Sequence, residues 1–341
     1  MELLLPANPI IQSQIRTKSI SKMYNNLVET STDLNIATGY ITNDSVAALK
    51  QIVEFRDGAL NLSLFIGMNY LEGFTRPQYY AVKDLNEFLT ANHSGRVYLS
   101  PQALYHGKMY SFMKGTLCLA SFVGSSNLGS FVGTSQNYIE ADILFKDKEG
   151  VEINNFIGKI TASLGQRFED VPELQNFKEN DIELLDGYSY VKKLTKEELQ
   201  NLQSTATNTY IDVPLKTEAK SNLNTYFGKG KVKGRYSPRG WYEVELIVSK
   251  NLDRRDFLPL NFTAVTTDGY EFECSRQGDY DKNLRSSYDL KILGRWIKGQ
   301  MENCGALEVG TPVTDDTLYK FGKTSLRFTK TESGKFILSL I

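Results

Sequence analysis

The sequence predicts an α/β layered domain followed by an all-β, barrel-like domain, and three observations lead there. Strand-like and helix-like runs alternate between residues 15 and 170. An acidic, broken and then polar stretch interrupts them between residues 171 and 205. From about residue 208 onward, short period-two runs are separated by turn residues, and only one run has helical spacing. Alternation of the first kind needs helices covering a central sheet, whereas the second pattern suits strands that curl on themselves. We therefore expect one domain over residues 1–170, a linker over 171–205 and a second domain over 206–341. A chain of 341 residues suits two domains, each on the usual scale of about 100–200 residues.

The elements follow in order. "IRTKSISKMYNNLVE" has helical spacing, "LNIATGYI" reads as a strand, and "NDSVAALKQIVEF" as a helix capped by Asn43 or Asp44. "LNLSLFIGM" is a buried strand, "PQYYAVKDLNEFLTAN" a helix and "RVYLS" a short strand. Three more strand-like runs, "YHGKMYSF", "GTLCLASFVG" and "IEADILF", precede the helix "VEINNFIGKITASLGQRF". In the linker "TKEELQNLQ" is a short helix and "STATNT" is polar. Beyond it "GWYEVELIVS", "FTAVTTDGYEFECSR", "TSLRFTKTES" and "KFILSLI" alternate as strands do, with "TDG" and "ESG" as hairpin turns. Only "LKILGRWIKGQME" has helical spacing in this part, which is expected to hold one or two helices, and no internal repeat is visible.

Composition narrows the function classes. Apolar residues at 41% and charged residues at 23% are ordinary for a globular protein. Cys118, Cys274 and Cys304 are odd in number and far apart, so neither a disulfide framework nor a zinc cluster is expected. With two histidines in the chain, a metal site would have to be built from carboxylates, and no metal or cofactor is expected. The opening "MELLLPANPIIQ" is too short and lacks the basic lead of a signal peptide, and no run of 18 apolar residues occurs. A cytoplasmic protein without a membrane partner is the expectation. The net charge of −1 hides an asymmetry: residues 205–341 hold 21 Lys+Arg against 17 Asp+Glu, so the acidic excess lies in the first part.

One histidine stands in "YHGKMYSF", with a lysine two places on. On an extended segment His106 and Lys108 project to the same face. A nitrogen base beside a fixed ammonium suits an anionic substrate, phosphate above all. "GSSN", Gly124 to Asn127, follows a strand and exposes backbone N–H groups, small hydroxyls including that of Ser125, and the Asn127 amide, a set able to cradle an oxyanion. Glu140 sits among apolar neighbours at the start of another strand, where a carboxylate could fix the tautomer of an imidazole. The other histidine, His93, lies in the polar turn "ANHSG" and reads as a loop residue.

Basic residues cluster in two places. "YFGKGKVKGRYSPRGWYEVEL" places Lys229, Lys231, Lys233, Arg235 and Arg239 in an acid-free run. Alternate lysines on a strand make one cationic edge for phosphates, and arginine can reach guanine edges. "RQGDYDKNLRSS" mixes donors and acceptors in Arg276, Gln277, Asp279, Lys282 and Arg285, which suits base reading.

The ordered set of His-x-Lys, Gly-Ser-x-Asn and Glu resembles the phospholipase D superfamily, its single-motif nucleases in particular, over roughly residues 15–170. Many members carry an aspartate five positions after the lysine, where this chain has Met113. With "YSPRGWYEVEL" and "KNLRSSYDLKILGRWIKG" included, nearly the whole chain resembles restriction endonucleases of the NgoFVII/BfiI type. The resemblance implies a phospholipase D-like nuclease domain and a pseudobarrel like that of plant transcription factors, gripping the major groove of double-stranded DNA with two arms. The two basic stretches match those arms. It also implies metal-independent phosphodiester hydrolysis: His106 forms a phosphohistidine, Lys108, Ser125 and Asn127 bind the non-bridging oxygens, and Glu140 orients His106.

A chain with one motif then needs a second subunit for the acid, so a homodimer is implied, supported by the linker helix. The expected activity is that of a Type II-like restriction enzyme, with a cognate DNA methyltransferase in the same system and, as in some relatives, a separate ATPase or helicase-like subunit. Two alternatives stand beside it: a sequence-specific DNA-binding regulator with an inactive nuclease-like domain, and a lipid phosphodiesterase or transferase. The intact site residues argue against the first, and the single motif against the second.

Overall fold

The computed structural model describes residues 1–5, 18–132, 140–179, 184–232, 235–252 and 257–341. They belong to two compact units, Met1–Asn180 and Asp181–Ile341. The first unit is built on a nine-stranded sheet. Its strands in chain order are β1 (Glu2–Leu5), β2 (Lys18–Ser19), β3 (Asp33–Thr38), β4 (Asn61–Ile66), β5 (Gly95–Leu99), β6 (Lys108–Lys114), β7 (Leu117–Gly124), β8 (Asp142–Phe145) and β9 (Gln166–Arg167). Across the sheet the order is β2-β1-β8-β7-β6-β3-β4-β5-β9. β3, β4 and β5 run parallel, whereas β6, β7 and β8 are each antiparallel to the neighbour before them in that path.

Sequence chemistry explains the layers. β3 and β4 carry Leu34, Ile36, Leu62, Leu64 and Phe65 at 0% exposure, the near-continuous apolar runs of strands covered on both faces. On β6 the period of two sends Tyr110 and Phe112 to one face, against Phe131 and Tyr24. Met109 goes to the other face, with Ala37, Phe65 and Ile157 beneath the helix Asp147–Leu164. The helix Asn43–Phe55 is capped by Thr42, not by Asn43 or Asp44. Thr42 has an extended backbone (φ −113°, ψ 151°), and its hydroxyl accepts from Ser45 N while Ser45 Oγ accepts from Thr42 N, so the two later residues are already helical.

The register decides where the site can form. Thr38, the last residue of β3, stands opposite Lys108, the first of β6. Gly124, the last of β7, stands opposite Asp142, the first of β8. Four adjacent strands therefore deliver their loops to one end of the sheet, the carboxyl end of parallel β3 and β4, where α/β sheets collect ligands.

The second unit contains β10 (Lys192–Lys193), β11 (Ala206–Pro214), β12 (Gly230–Val232), β13 (Arg235–Ser237), β14 (Leu246–Ile247), β15 (Asn261–Thr266), β16 (Tyr270–Gln277), β17 (Asn283–Ser286), β18 (Ser325–Thr331) and β19 (Phe336–Leu340). The main sheet runs β11-β18-β19-β15-β16-β17-β14, with β10 also paired to β16 and β12–β13 a separate hairpin. β15 and β19 are parallel and the other pairs antiparallel. Residues of the outer strands β11 and β14 come within 8 Å of each other, Cα to Cα, so the sheet curls into a pseudobarrel. The expected hairpin turns are present, with Gly269 (φ 88°) and Gly334 (φ 82°) in the left-handed conformation that glycine adopts freely. The helix Lys291–Asn303 plugs the core with Trp296, Ile297 and Met301, and shorter helices span Lys196–Ser204 and Asp315–Phe321. "GWYEVELIVS" contributes only the two residues of β14 as strand. Among the described residues no helix is long and apolar enough to cross a membrane.

Candidate active site and basic clusters

His106 lies two residues ahead of β6 rather than inside it. Tyr105 N donates to Gly67 O at 3.1 Å, which ties this segment to the loop after β4 before the β6 ladder starts. The side chains still meet. Lys108 Nζ is 3.1 Å from His106 Nε2 and donates to His106 O at 2.6 Å. An ammonium can only donate, so Nε2 is the acceptor and the ring proton belongs on Nδ1. The imidazole is exposed, whereas Lys108 is buried. Burial draws the lysine below its ordinary pKa, and the charge of Glu140 opposes that shift. The Tyr40 ring meets the imidazole edge-on at 5.5 Å between centroids, and its hydroxyl donates to Glu72 at 2.6 Å. A Cβ at Gly39 would lie 3.3 Å from His106 Cα and Cδ2, so a glycine there lets the loop after β3 run close beside the histidine.

The "GSSN" turn is organised from below. Ser126 is fully buried, and its Oγ donates to Asp142 Oδ2 at 2.5 Å while its N–H reaches Asp142 Oδ1 at 3.4 Å. Ser126 O accepts from Tyr110 Oη at 2.8 Å. Gly124 is required here, because a Cβ would meet Asp142 Oδ1 at 2.3 Å. Ser125 is exposed, and its Oγ accepts from Ala141 N at 3.0 Å. Asn127 Oδ1 accepts from Tyr40 N at 3.2 Å and Thr38 Oγ1 at 3.4 Å. That leaves the Asn127 amide N–H groups as the donors turned to other partners.

Glu140 is half-buried just ahead of β8, and its charge acts on both Lys108 and Asp142. The imidazole's hydrogen bond in this structure goes to Lys108. Burial raises the Asp142 carboxyl above its usual pKa, against the pull of its two Ser126 bonds. The sequence reading missed Ser126, Asp142, Thr38 and Tyr40. Asp142 opens an otherwise apolar strand, and that buried acid was the available signal. His93 sits in the left-handed conformation (φ 51°) in the turn after the helix Arg76–Ala91. A cavity of about 780 Å³ beneath the long helix is lined by Asn35, Ser63, Tyr98, Asn154 and Thr161 and does not include His106. Among the described residues no group of three or more His, Cys, Asp and Glu side chains is gathered as a metal would need.

The candidate DNA-binding residues of the second unit fall into four sets. Lys231 and Arg235 belong to the antiparallel β12–β13 hairpin, where Lys231 pairs with Tyr236 and Arg235 with Val232. Lys229 precedes that hairpin and is exposed, whereas Lys233 lies outside the described residues. Gln277 and Asp279 are exposed and Lys282 half-buried around the β16–β17 turn. Arg276, grouped with them on sequence, is buried, and its guanidinium donates to Leu258 O at 2.6 Å and Asp281 O at 2.9 Å. It braces the turn from inside rather than facing solvent. Arg239 and Arg285 come together: both bond Glu245 Oε1, at 3.1 Å and 3.4 Å. Arg239 also lies 2.8 Å from Glu243, and Arg285 donates to Gln277 Oε1.

Two models of one family match the chain. The NgoFVII restriction endonuclease N-terminal PLD domain matches residues 18–173. The NgoFVII C-terminal B3-like DNA-binding domain matches residues 200–332. No curated protein matches. Similar solved structures include TrmBL2, an archaeal chromatin protein, at 11% identity and a TM-score of 0.30, covering 48% of this chain and 53% of that one. Nuc, a phospholipase D family member from Salmonella typhimurium, is 11% identical with a TM-score of 0.30 and coverages of 42% and 90%. NucT from Helicobacter pylori is 16% identical with a TM-score of 0.29 and coverages of 48% and 97%. These likenesses are remote, and the family assignment rests on the two domain models.

Proposed function

Because the chain belongs to the NgoFVII restriction endonuclease family, we propose that it cuts double-stranded DNA at a specific sequence, without a metal ion, through a phosphohistidine at a site shared by two copies of the chain. The observation that carries the reading is the 3.1 Å contact between the exposed His106 Nε2 and Lys108 Nζ at the end of four adjacent strands. As Lys108 turns its N–H from Nε2 to a phosphate oxygen, the freed lone pair on Nε2 attacks phosphorus and a phosphorus–oxygen bond of the backbone breaks. The leaving deoxyribose oxygen takes a proton from His106 of a second copy. Water then attacks the phosphorus, gives its proton to that second histidine, and the N–P bond breaks to release the 5′ or 3′ phosphate end and a free imidazole. Charge on the transferring phosphoryl is offset by the Lys108 ammonium and by the Asn127 amide and Ser125 hydroxyl as donors. Glu140, whose charge favours the Lys108 ammonium, orients His106.

The same reading gives the second unit the task of finding the site. The first basic stretch, with Lys229, Lys231, Lys233 and Arg235, holds phosphates, and Gln277, Asp279, Lys282, Arg239 and Arg285 read bases. A cognate methyltransferase would protect the site in the host, and a separate ATPase or helicase-like subunit would belong to the same system. The test is cleavage of plasmid DNA in excess EDTA by the wild type and by His106→Ala, with acid-quenched reactions searched for DNA covalently attached to His106. Discrete fragments in EDTA from the wild type alone, with the adduct, are expected. Strict dependence on magnesium, or cleavage by His106→Ala, overturns the mechanism, and binding without cutting by both proteins returns the chain to a regulator.

A further inference from the structure

Glu245 stands where a DNA-binding surface gains nothing from a negative charge. It directly precedes β14, whose Leu246 and Ile247 pair with Leu284 and Asn283 of β17, so Arg285 is its cross-strand neighbour. Arg239 reaches the same carboxylate from the end of the first basic stretch. The three side chains are only 20–24% exposed, so none of them sweeps freely through solvent. A second carboxylate, Glu243, lies 2.8 Å from Arg239. Two guanidinium charges thus meet two carboxylates, and the cluster as a whole offers little to a phosphate. The lysine run around β12 differs, since "KGKVKGR" contains no acid at all.

Phosphate contacts give affinity and register, while base edges are read by forks held at fixed angles. A carboxylate that grips one side of a guanidinium repels phosphates and leaves the other side of the planar fork aimed in one direction. We propose that Glu245 is a positioning residue for base recognition: it holds Arg239 and Arg285, one from each of the two basic stretches, so that their free N–H groups face base edges rather than the phosphate backbone. This rests on the reading of the second unit as the DNA-binding part. Gln277 Oε1 accepts from Nη2 of Arg285, so on that arginine the N–H groups left for a base are those that neither Glu245 nor Gln277 takes.

The experiment uses the full chain carrying His106→Ala, so that DNA stays intact, and a pool of duplexes with a randomised core. Sequences enriched by this protein define the site, and competition against single-base variants measures discrimination at each position. Glu245→Ala is expected to lose about 5- to 150-fold in discrimination at the same positions that Arg239→Ala and Arg285→Ala relax. Binding to unrelated duplexes should stay equal or tighten, and Glu245→Asp should recover part of the loss. Tighter binding to every sequence with discrimination intact would make Glu245 a mere repulsive charge and overturn the inference. Equal weakening on every sequence, accompanied by an altered fold in circular dichroism, would make it a brace and overturn it as well. If the Glu245-intact protein enriches no sequence while still binding duplex, the reading of the second unit as a sequence reader fails first, and the inference falls with it.

Discussion

Lys298→Met should flatten the pH dependence of stability of the second unit. Lys298 is fully buried in the helix Lys291–Asn303, its Nζ donates to Trp241 O at 2.8 Å, and it lies 3.2 Å from the centre of the Trp241 ring. Glu302, one turn on, accepts from Trp241 Nε1 at 2.6 Å and Tyr242 Oη at 2.7 Å. Burial pulls the Lys298 ammonium from its ordinary 10.5 to about 7, with the Glu302 charge opposing. A base whose folded pKa is depressed binds fewer protons folded than unfolded between those two values, so stability rises with pH there and is lost as pH falls toward 7. Glu302 and Cys274 are both raised by burial and act with the opposite sign, Glu302 from the usual carboxylate range upward and Cys274 above the usual thiol value.

The cleanest window is therefore pH 7 to 8.5, where the Lys298 slope of up to ~1.4 kcal/mol per pH unit amounts to about 2 kcal/mol. For a unit of this size that corresponds to a rise of about 4–8 °C in Tm. Both tryptophans of the chain, Trp241 and Trp296, belong to the second unit, so tryptophan fluorescence during guanidinium unfolding follows that unit. The wild type should gain stability across the window and Lys298→Met should be nearly flat. A wild type already flat between pH 7 and 8.5, or a variant that keeps the slope, would refute the buried-ammonium argument.

Four further outcomes are expected. Asp142→Asn keeps the shape beneath the "GSSN" turn but weakens its two bonds to Ser126, and should cost about 1–3 kcal/mol in unfolding of the first unit together with a large fall in cleavage rate. Arg276→Ala strips a buried guanidinium from two backbone carbonyls and should destabilise the second unit by about 2–4 kcal/mol, weakening binding to all duplexes alike, whereas Lys231→Ala should leave stability unchanged and reduce the salt slope of binding by about one. Mixing wild type with rising amounts of His106→Ala, after subunit exchange, should lower activity as the square of the wild-type fraction; a linear fall would show that each chain cuts alone.

Much of the candidate site was legible because its motifs sit at strand ends. His-x-Lys, Gly-Ser-x-Asn and the following acid come in chain order from β6, β7 and β8, and antiparallel neighbours in sequence are neighbours in the sheet, so order in the chain became proximity at one end. The contribution of β3 was not legible in the same way. Thr38 and Tyr40 hold Asn127 across 89 and 87 positions, through a pairing of β3 with β6 that no local pattern announces. Arg276 looked like its basic neighbours, since the carbonyl that occupies it belongs to Leu258, 18 positions away.

Carboxylates were the hardest residues to place, and for a common physical reason. In a chain expected to hold phosphate, an acid reads as repulsion or as solvated surface. In the folded protein, acids instead sort the donors. Asp142 takes the Ser126 hydroxyl and N–H and so sets the turn that carries Asn127. Glu302 collects Trp241 and Tyr242 next to Glu243 and Glu245. Glu245 gathers two guanidinium groups that are 46 positions apart in sequence and adjacent in space. Glu140 opposes the downward pull of burial on the Lys108 ammonium. Each carboxylate adds repulsion toward phosphate and in return fixes the direction of a neighbouring donor, and fixed direction is what separates a structured site from a surface that merely attracts an anion.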